Sequence, residues 1–271
     1  MIANQPKHYT LHELPYGLKD GEITHVEDVS KGLACGCVCP ACGSPLVAKK
    51  GSHRLHHFAH AHDTSCGAGL ETGLHLAAKR ILDDKRRIVL PPIRVKFPNR
   101  EDSYGDAQHY QLDDVRLEKK TGDIRPDVVA YIRGKPLLIE ICVTNAVDDE
   151  KLMKIGRLGI GAIEINLRKA PRRFTHAQLE ELVIFGEAEK KWLYNERAER
   201  KRESIVASAT KRCAKWQRID HVIPDCPLKQ QGSRSAKRYA DFTYECPNCK
   251  HALEIDMPME WVRCDAPTEQ R

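Results

Sequence analysis

Apolar positions recur at helical spacing over residues 69–83. Leu70, Leu74, Leu76, Ala77, Ile81 and Leu82 carry that spacing, which predicts an amphipathic helix. The pattern then changes to short apolar runs at Ile88–Phe97, Val115–Lys119, Asp127–Ile132 and Leu137–Val143, which predict strands. Arg133-Gly134-Lys135-Pro136 separates the last two and reads as a hairpin connection. Helical spacing returns over Asp148–Leu158, and Gly161–Leu167 reads as one more strand. The order α-β-β-β-α-β predicts an α/β core with a mixed sheet over residues 67–170. Residues 1–66 stand apart through their Cys, His and Gly content, 171–218 as a basic helical segment, and 219–271 through returning cysteines and prolines.

With 271 residues, 41% hydrophobic and 30% charged, and a mean hydropathy of -0.53, the composition is that of a soluble globular protein. No apolar run approaches the roughly 20 residues needed to span a bilayer, so no membrane partner is expected. The opening MIANQPKHYTLHELPYG lacks an apolar signal core, so a cytoplasmic location is expected. Forty-four Lys and Arg against 38 Asp and Glu give +6. Ten of the cations and five glutamates fall in residues 187–218, and ten minus five leaves most of the excess there. Trp192, Tyr194 and Trp216 lie among them, and aromatics between cations suit stacking on unpaired bases. Arg197, Arg200, Lys201 and Arg212 are therefore candidate contacts to DNA, as is the basic loop Lys229–Arg238. The competing reading is a solvated helix packing an apolar stripe on the core.

Eleven cysteines, an odd number, without an export signal point to metal binding rather than a disulfide framework. Cys39-Pro-Ala-Cys42 is followed by His57-Phe-Ala-His60, and two short-spaced pairs predict a structural zinc in an amino-terminal zinc-finger module. Cys35, Cys37, His56, His62 and Cys66 are surplus and could replace a ligand. Cys246-Pro-Asn-Cys249 with Cys226 suggests a second zinc in a carboxy-terminal ribbon, its fourth ligand being Cys264, Cys213 or His221. Zinc binding can supply about 10–16 kcal/mol, enough to fold a segment too small for its own core.

Asp127 begins one apolar strand and Glu140 lies inside the next, between Ile139 and Ile141. A carboxylate in such a run is costly to bury unless it is paired or holds a cation. A short turn brings the two acids side by side, where Mg²⁺ would relieve their repulsion. The alternative is that Asp127 caps a strand and Glu140 pairs with an arginine such as Arg94.

Pro126-Asp127, followed by Glu140-x-Cys142, resembles the PD-(D/E)XK nuclease signature. Taken with Cys39-Pro-x-Cys42, His57-Phe-Ala-His60, Glu71-Thr-x-x-His75-x-x-x-Lys79 and Ile139-Glu140-x-x-x-Thr144, residues 35–168 resemble the competence protein CoiA-like family. The resemblance implies a zinc-bearing module joined to a restriction-endonuclease-like core, acting as a Mg²⁺- or Mn²⁺-dependent deoxyribonuclease. It maps the metal acids onto Asp127 and Glu140, and a helix acid onto Glu71. His75 and Lys79 follow on the same helix face. Glu71 or His75 would then orient or deprotonate the attacking water. Cys142 occupies the signature's lysine position, so Lys79, Lys151 or Lys154 would have to supply the charge. A catalytically weak or inactive DNA-binding accessory protein is the alternative. Transformation, repair, defence or recombination settings, with protein partners to match, rest on the resemblance alone.

Overall fold

The structure, a computed structural model, describes residues 13–52, 54–62, 66–168, 175–230 and 239–267. From residue 231 on, the Lys229–Arg238 loop lies outside the described residues, as does the opening segment 1–12. The chain divides into two compact units. One takes the residues up to Pro91 together with Asp106–Tyr194; the other takes Pro92–Gly105 together with the residues from Asn195 on.

The first unit is built on helix α1 (Gly69–Lys85) and a five-stranded mixed sheet. Strands β1 (Asp114–Leu117), β2 (Val128–Ile132) and β3 (Lys135–Cys142) form an antiparallel meander. Helix α2 (Asp149–Leu158) then carries the chain to β4 (Ala162–Asn166), parallel to β3. After α3 (His176–Ile184), β5 (Lys190–Tyr194) closes the order β5-β4-β3-β2-β1. The mixed α/β character follows from this single parallel pair among antiparallel neighbours.

The β2–β3 turn is two residues long, Arg133 at φ 50° and Gly134 at φ 73°. Two positive φ values make the primed turn that matches strand twist, and they fix the register Val128↔Ile139. Pro136, which has no N–H to donate, sits two residues before β4 pairing begins at Leu138. Asp148 caps α2 by accepting from the Lys151 amide, and Gly159 ends it at φ 64°.

Strand alternation divides the sheet into two faces. Leu137, Ile139, Ile141, Ile163 and Ile165 join Leu74, Ala78, Ile81 and Leu82 of α1 and Leu179 and Val183 of α3 in the main core. Val129, Leu138 and Ala162 pack on Ile155 of α2 on the opposite face. Glu140 and Cys142 belong, by parity, to the α2 side. A smaller core of Leu14, Val26, Leu46, Ala48 and Phe58 lies beneath the hairpin Leu46–Lys49 with His57–His60.

The second unit joins the hairpin Ile93–Phe97 with Arg100–Tyr104 to helix α4 (Glu196–Ser208) through Val95, Phe97, Ala198 and Leu253. Two small antiparallel sheets complete it: Thr210–Cys213, Trp261–Cys264 and Ala252–Asp256, then Lys215–Gln217, Asp220–Ile223 and Ala240–Asp241.

Two sequence expectations are corrected. The run Ile88–Phe97 is not one strand, because Pro91-Pro92 withholds two successive backbone donors and separates Arg87–Leu90 from Ile93–Phe97. The segment 171–218 is not one helical stretch either; Gly186 follows the end of α3, β5 intervenes, and Asn195 caps α4 afresh. Among the described residues, no helix is long and apolar enough to cross a membrane.

Lys190 on β5 is 6% exposed, and its ammonium donates to the carbonyls of Ile184 and Gly186 at the end of α3. Burial outweighs the neighbouring glutamates and pushes its pKa down to about 8 from 10.5. The unfolded chain therefore binds more protons between these values, and stability rises with pH across that window. Denaturant unfolding of the wild type should gain up to about 1.4 kcal/mol per pH unit there. Lys190→Met should lose that slope; an unchanged slope would contradict the assignment.

Candidate functional site

The amino-terminal module assembles a metal-sized cluster. Cys39, Cys42, His60 and Cys66 each offer one ligand atom, all within 4.8 Å of one another. The Cys39 and Cys66 sulfurs stand 3.8 Å apart, and Cys42 Sγ lies 3.5 Å from His60 Nε2. For Zn–S of about 2.3 Å and Zn–N of about 2.0–2.1 Å, tetrahedral edges come to about 3.8 and 3.6 Å. The donor set and its spacing thus fit zinc, and this cluster could hold such an ion. Backbone amides of Ala41 and Cys42 point at the Cys39 sulfur, and the Ser44 hydroxyl bonds Cys42. Burial nevertheless raises the Cys39 thiol to about 11, while Ser44 lowers exposed Cys42 to about 6.

His57 is not part of this cluster. It lies three residues before His60 on the same strand, and positions i and i+3 of a strand face opposite sides. Its Nδ1 pairs with the Leu55 carbonyl instead, and Cys66 takes the fourth place. Cys35 and Cys37 are buried in the small core, and His56 pairs with Glu27.

A second constellation lies in the same unit. One step beyond the pair Val128↔Ile139, Asp127 stands opposite Glu140. Asp127 Oδ2 accepts from the Ile141 amide at 2.8 Å and lies 2.9 Å from His75 Nε2. Glu140, 4% exposed, receives Lys151 Nζ of α2 at 2.7 Å. Burial drives the Glu140 carboxyl up to about 7, with the Asp127 charge adding to the effect and Lys151 opposing it. Burial acts the same way on Asp127, but the His75 and Ile141 hydrogen bonds prevail and hold it below the ordinary range.

The three α1 residues reach three different places. Glu71 meets the Thr144 hydroxyl just after β3, His75 meets Asp127, and Lys79 pairs with Glu118 at 2.8 Å just after β1. Lys154 pairs with Glu150 on its own helix. Of the lysines considered, Lys151 is therefore the one that touches the acid pair. Cys142, 2% exposed, lines a cleft with Glu140, Asn145, Asp148, Lys151 and Glu164. Arg94 pairs with Glu101 on its own hairpin, so it is not the partner of Glu140.

Glu164 escaped the reading of the sequence. It stands beside Glu140 in the parallel register, is fully buried, accepts from the Val147 amide and pairs with Lys191 at 3.0 Å. The signal was available, since a glutamate between Ile163 and Ile165 breaks an apolar strand just as Glu140 does.

The basic candidates fare unequally. Arg197, Arg200 and Lys201 are exposed on α4, Arg200 against Glu196 and Lys201 over the Tyr104 ring. Arg212 is 5% exposed and engaged by Asp225 and Cys264, so it is not free to meet a phosphate. Trp192 packs on the main core and donates to the Pro91 carbonyl, whereas Trp216 is 67% exposed.

Fold and site together describe an α/β protein whose amino-terminal Cys/His cluster could hold a zinc ion. Residues 26–69 match the family model of the competence protein CoiA, N-terminal domain, a span that includes all four clustered ligands. Over that segment the likeness to the CoiA-like family is established. No curated protein and no solved structure matches the chain.

Metal analysis of the purified chain separates the two ligand sets. Cys66→Ser should lose the zinc of this module, whereas His57→Ala should keep it. The reverse pattern would restore the ligand set expected from spacing.

Proposed function

We propose that the chain is a metal-dependent DNA nuclease of the PD-(D/E)XK, restriction-endonuclease-like type, serving a competence-related role in keeping with the name of its matching domain. The observation that carries this reading is the cross-strand pairing of Asp127 with Glu140, flanked by His75 and Lys151. Paired, poorly hydrated carboxylates repel, and a divalent cation offsets that repulsion. Asp127 and Glu140 would hold Mg²⁺ or Mn²⁺, which would polarise the phosphate and lower the pKa of a bound water.

The chain's own groups have separable tasks. His75 orients Asp127 through a hydrogen bond and would be a candidate to take the proton of the attacking water. Lys151 takes the place of the lysine that Cys142 displaces, and its ammonium, drawn off Glu140 by a cation, would offset charge on the phosphate. Exposed Arg197, Arg200 and Lys201 would track the DNA backbone, giving salt-sensitive affinity. The second reading, a DNA-binding accessory protein that does not cut, is favoured by one observation: the signature's lysine position holds a buried thiol.

The test is Mg²⁺- and Mn²⁺-dependent cleavage of labelled single-stranded, duplex and branched DNA by the zinc-loaded protein. Glu140→Gln should abolish cleavage while DNA binding survives, and Lys151→Met should slow it about 10²-fold. Tight, salt-sensitive binding with no cleavage of any substrate would favour the accessory protein.

A further inference from the structure

Four thiols of the second unit ring one cavity: Cys226, Cys246, Cys249 and Cys264, with Arg212 in its wall. They arrive from three separate places. Cys226 precedes the short helical turn Pro227–Gln230, Cys246 and Cys249 bracket a tight turn, and Cys264 ends a strand. All four pack with Ile223, Ala240 and Phe242. Among the described residues they do not draw in to the spacing of the amino-terminal cluster; they surround the cavity rather than close it.

Polar donors reach two of the four sulfurs within this largely apolar surround. Backbone amides of Leu228 and Lys229 point at the Cys226 sulfur. The Arg212 Nε donates to Cys264 Sγ at 3.3 Å, and its Nη1 donates to the Asp225 carbonyl at 2.9 Å and to the Asp225 carboxylate. Arg212 thus links the Cys264 sulfur to Asp225 at the wall of the cavity. The scaffold is also braced. Asn99 donates to the carbonyls of Pro247 and Cys249, and Arg100 pairs with Asp265 beside Cys264. The competing fourth ligands are engaged elsewhere or turned away: His221 stacks on Trp216, and Cys213 is exposed on the strand face opposite Arg212.

We propose that Cys226, Cys246, Cys249 and Cys264 bind a second, structural zinc ion, and that Arg212 is a positioning residue for it through the Cys264 sulfur. Four thiolates on a divalent cation leave a net negative charge, which a guanidinium at the rim partly offsets. This assigns Arg212, basic in sequence and buried in structure, a task unconnected with DNA.

The test is zinc stoichiometry of the full chain, with Co²⁺ spectra as a second readout. Two equivalents per chain are expected, falling to one in Cys246→Ser and in Cys264→Ser. Cobalt-loaded Cys66→Ser protein should keep the charge-transfer bands of a four-thiolate site. Arg212→Gln should release one of the two ions to a chelator about 10–100-fold faster, leaving the other unaffected. A single equivalent in the wild type that Cys66→Ser removes and Cys246→Ser retains would overturn the site. Equal release of both ions from Arg212→Gln would overturn the role of the arginine. Should the cysteine variants fail to fold, the wild-type stoichiometry and cobalt spectrum still decide.

Discussion

Asp127 and Glu140 face each other across the β2–β3 hairpin, and burial there leaves little water to screen their repulsion. The two-residue turn at Arg133-Gly134 enforces this pairing, because sliding the register by one residue would turn every side chain of β3 over. Much of the surrounding structure answers the same electrostatic problem. His75 and the Ile141 amide hold one carboxylate, and Lys151 holds the other. Glu164, a third acid in the adjacent strand, is balanced by Lys191 and the Val147 amide.

These balances differ in kind. Asp127 is kept ionised by hydrogen bonds made to its charged form, whereas Glu140 is pushed toward neutrality by its burial. Two neighbouring acids thus have pKa values displaced in opposite directions. Lys151 opposes the upward shift through its ion pair with Glu140. The zinc-fitted module has a different task. A zinc ion held by its four candidate ligands would secure a hairpin over a small apolar core that would be marginal by itself.

Much of this was legible in the sequence. The amphipathic face of α1, the hairpin and the acid pair all follow from periodicity, turn chemistry and the cost of a carboxylate in an apolar run. What was not legible depended on geometry that spacing alone does not carry. His57 and His60 make a good ligand pair on a turn but a poor one on a strand, so Cys66, only a surplus candidate by spacing, takes the place expected of His57. Arg212 reads as surface charge until its 5% exposure is known. Glu164 is the instructive omission: the argument that singled out Glu140 applied to it unchanged, and only the parallel register shows that the two are neighbours.

The most direct test of the central claim is Mn²⁺ binding to the zinc-loaded full chain, followed by electron paramagnetic resonance without any nucleic acid. One Mn²⁺ should bind at millimolar or lower concentration, and Glu140→Gln should abolish that binding while leaving the zinc content unchanged. Mn²⁺ binding of equal strength in the variant, or none in the wild type, would contradict the Asp127–Glu140 pair as a cation site.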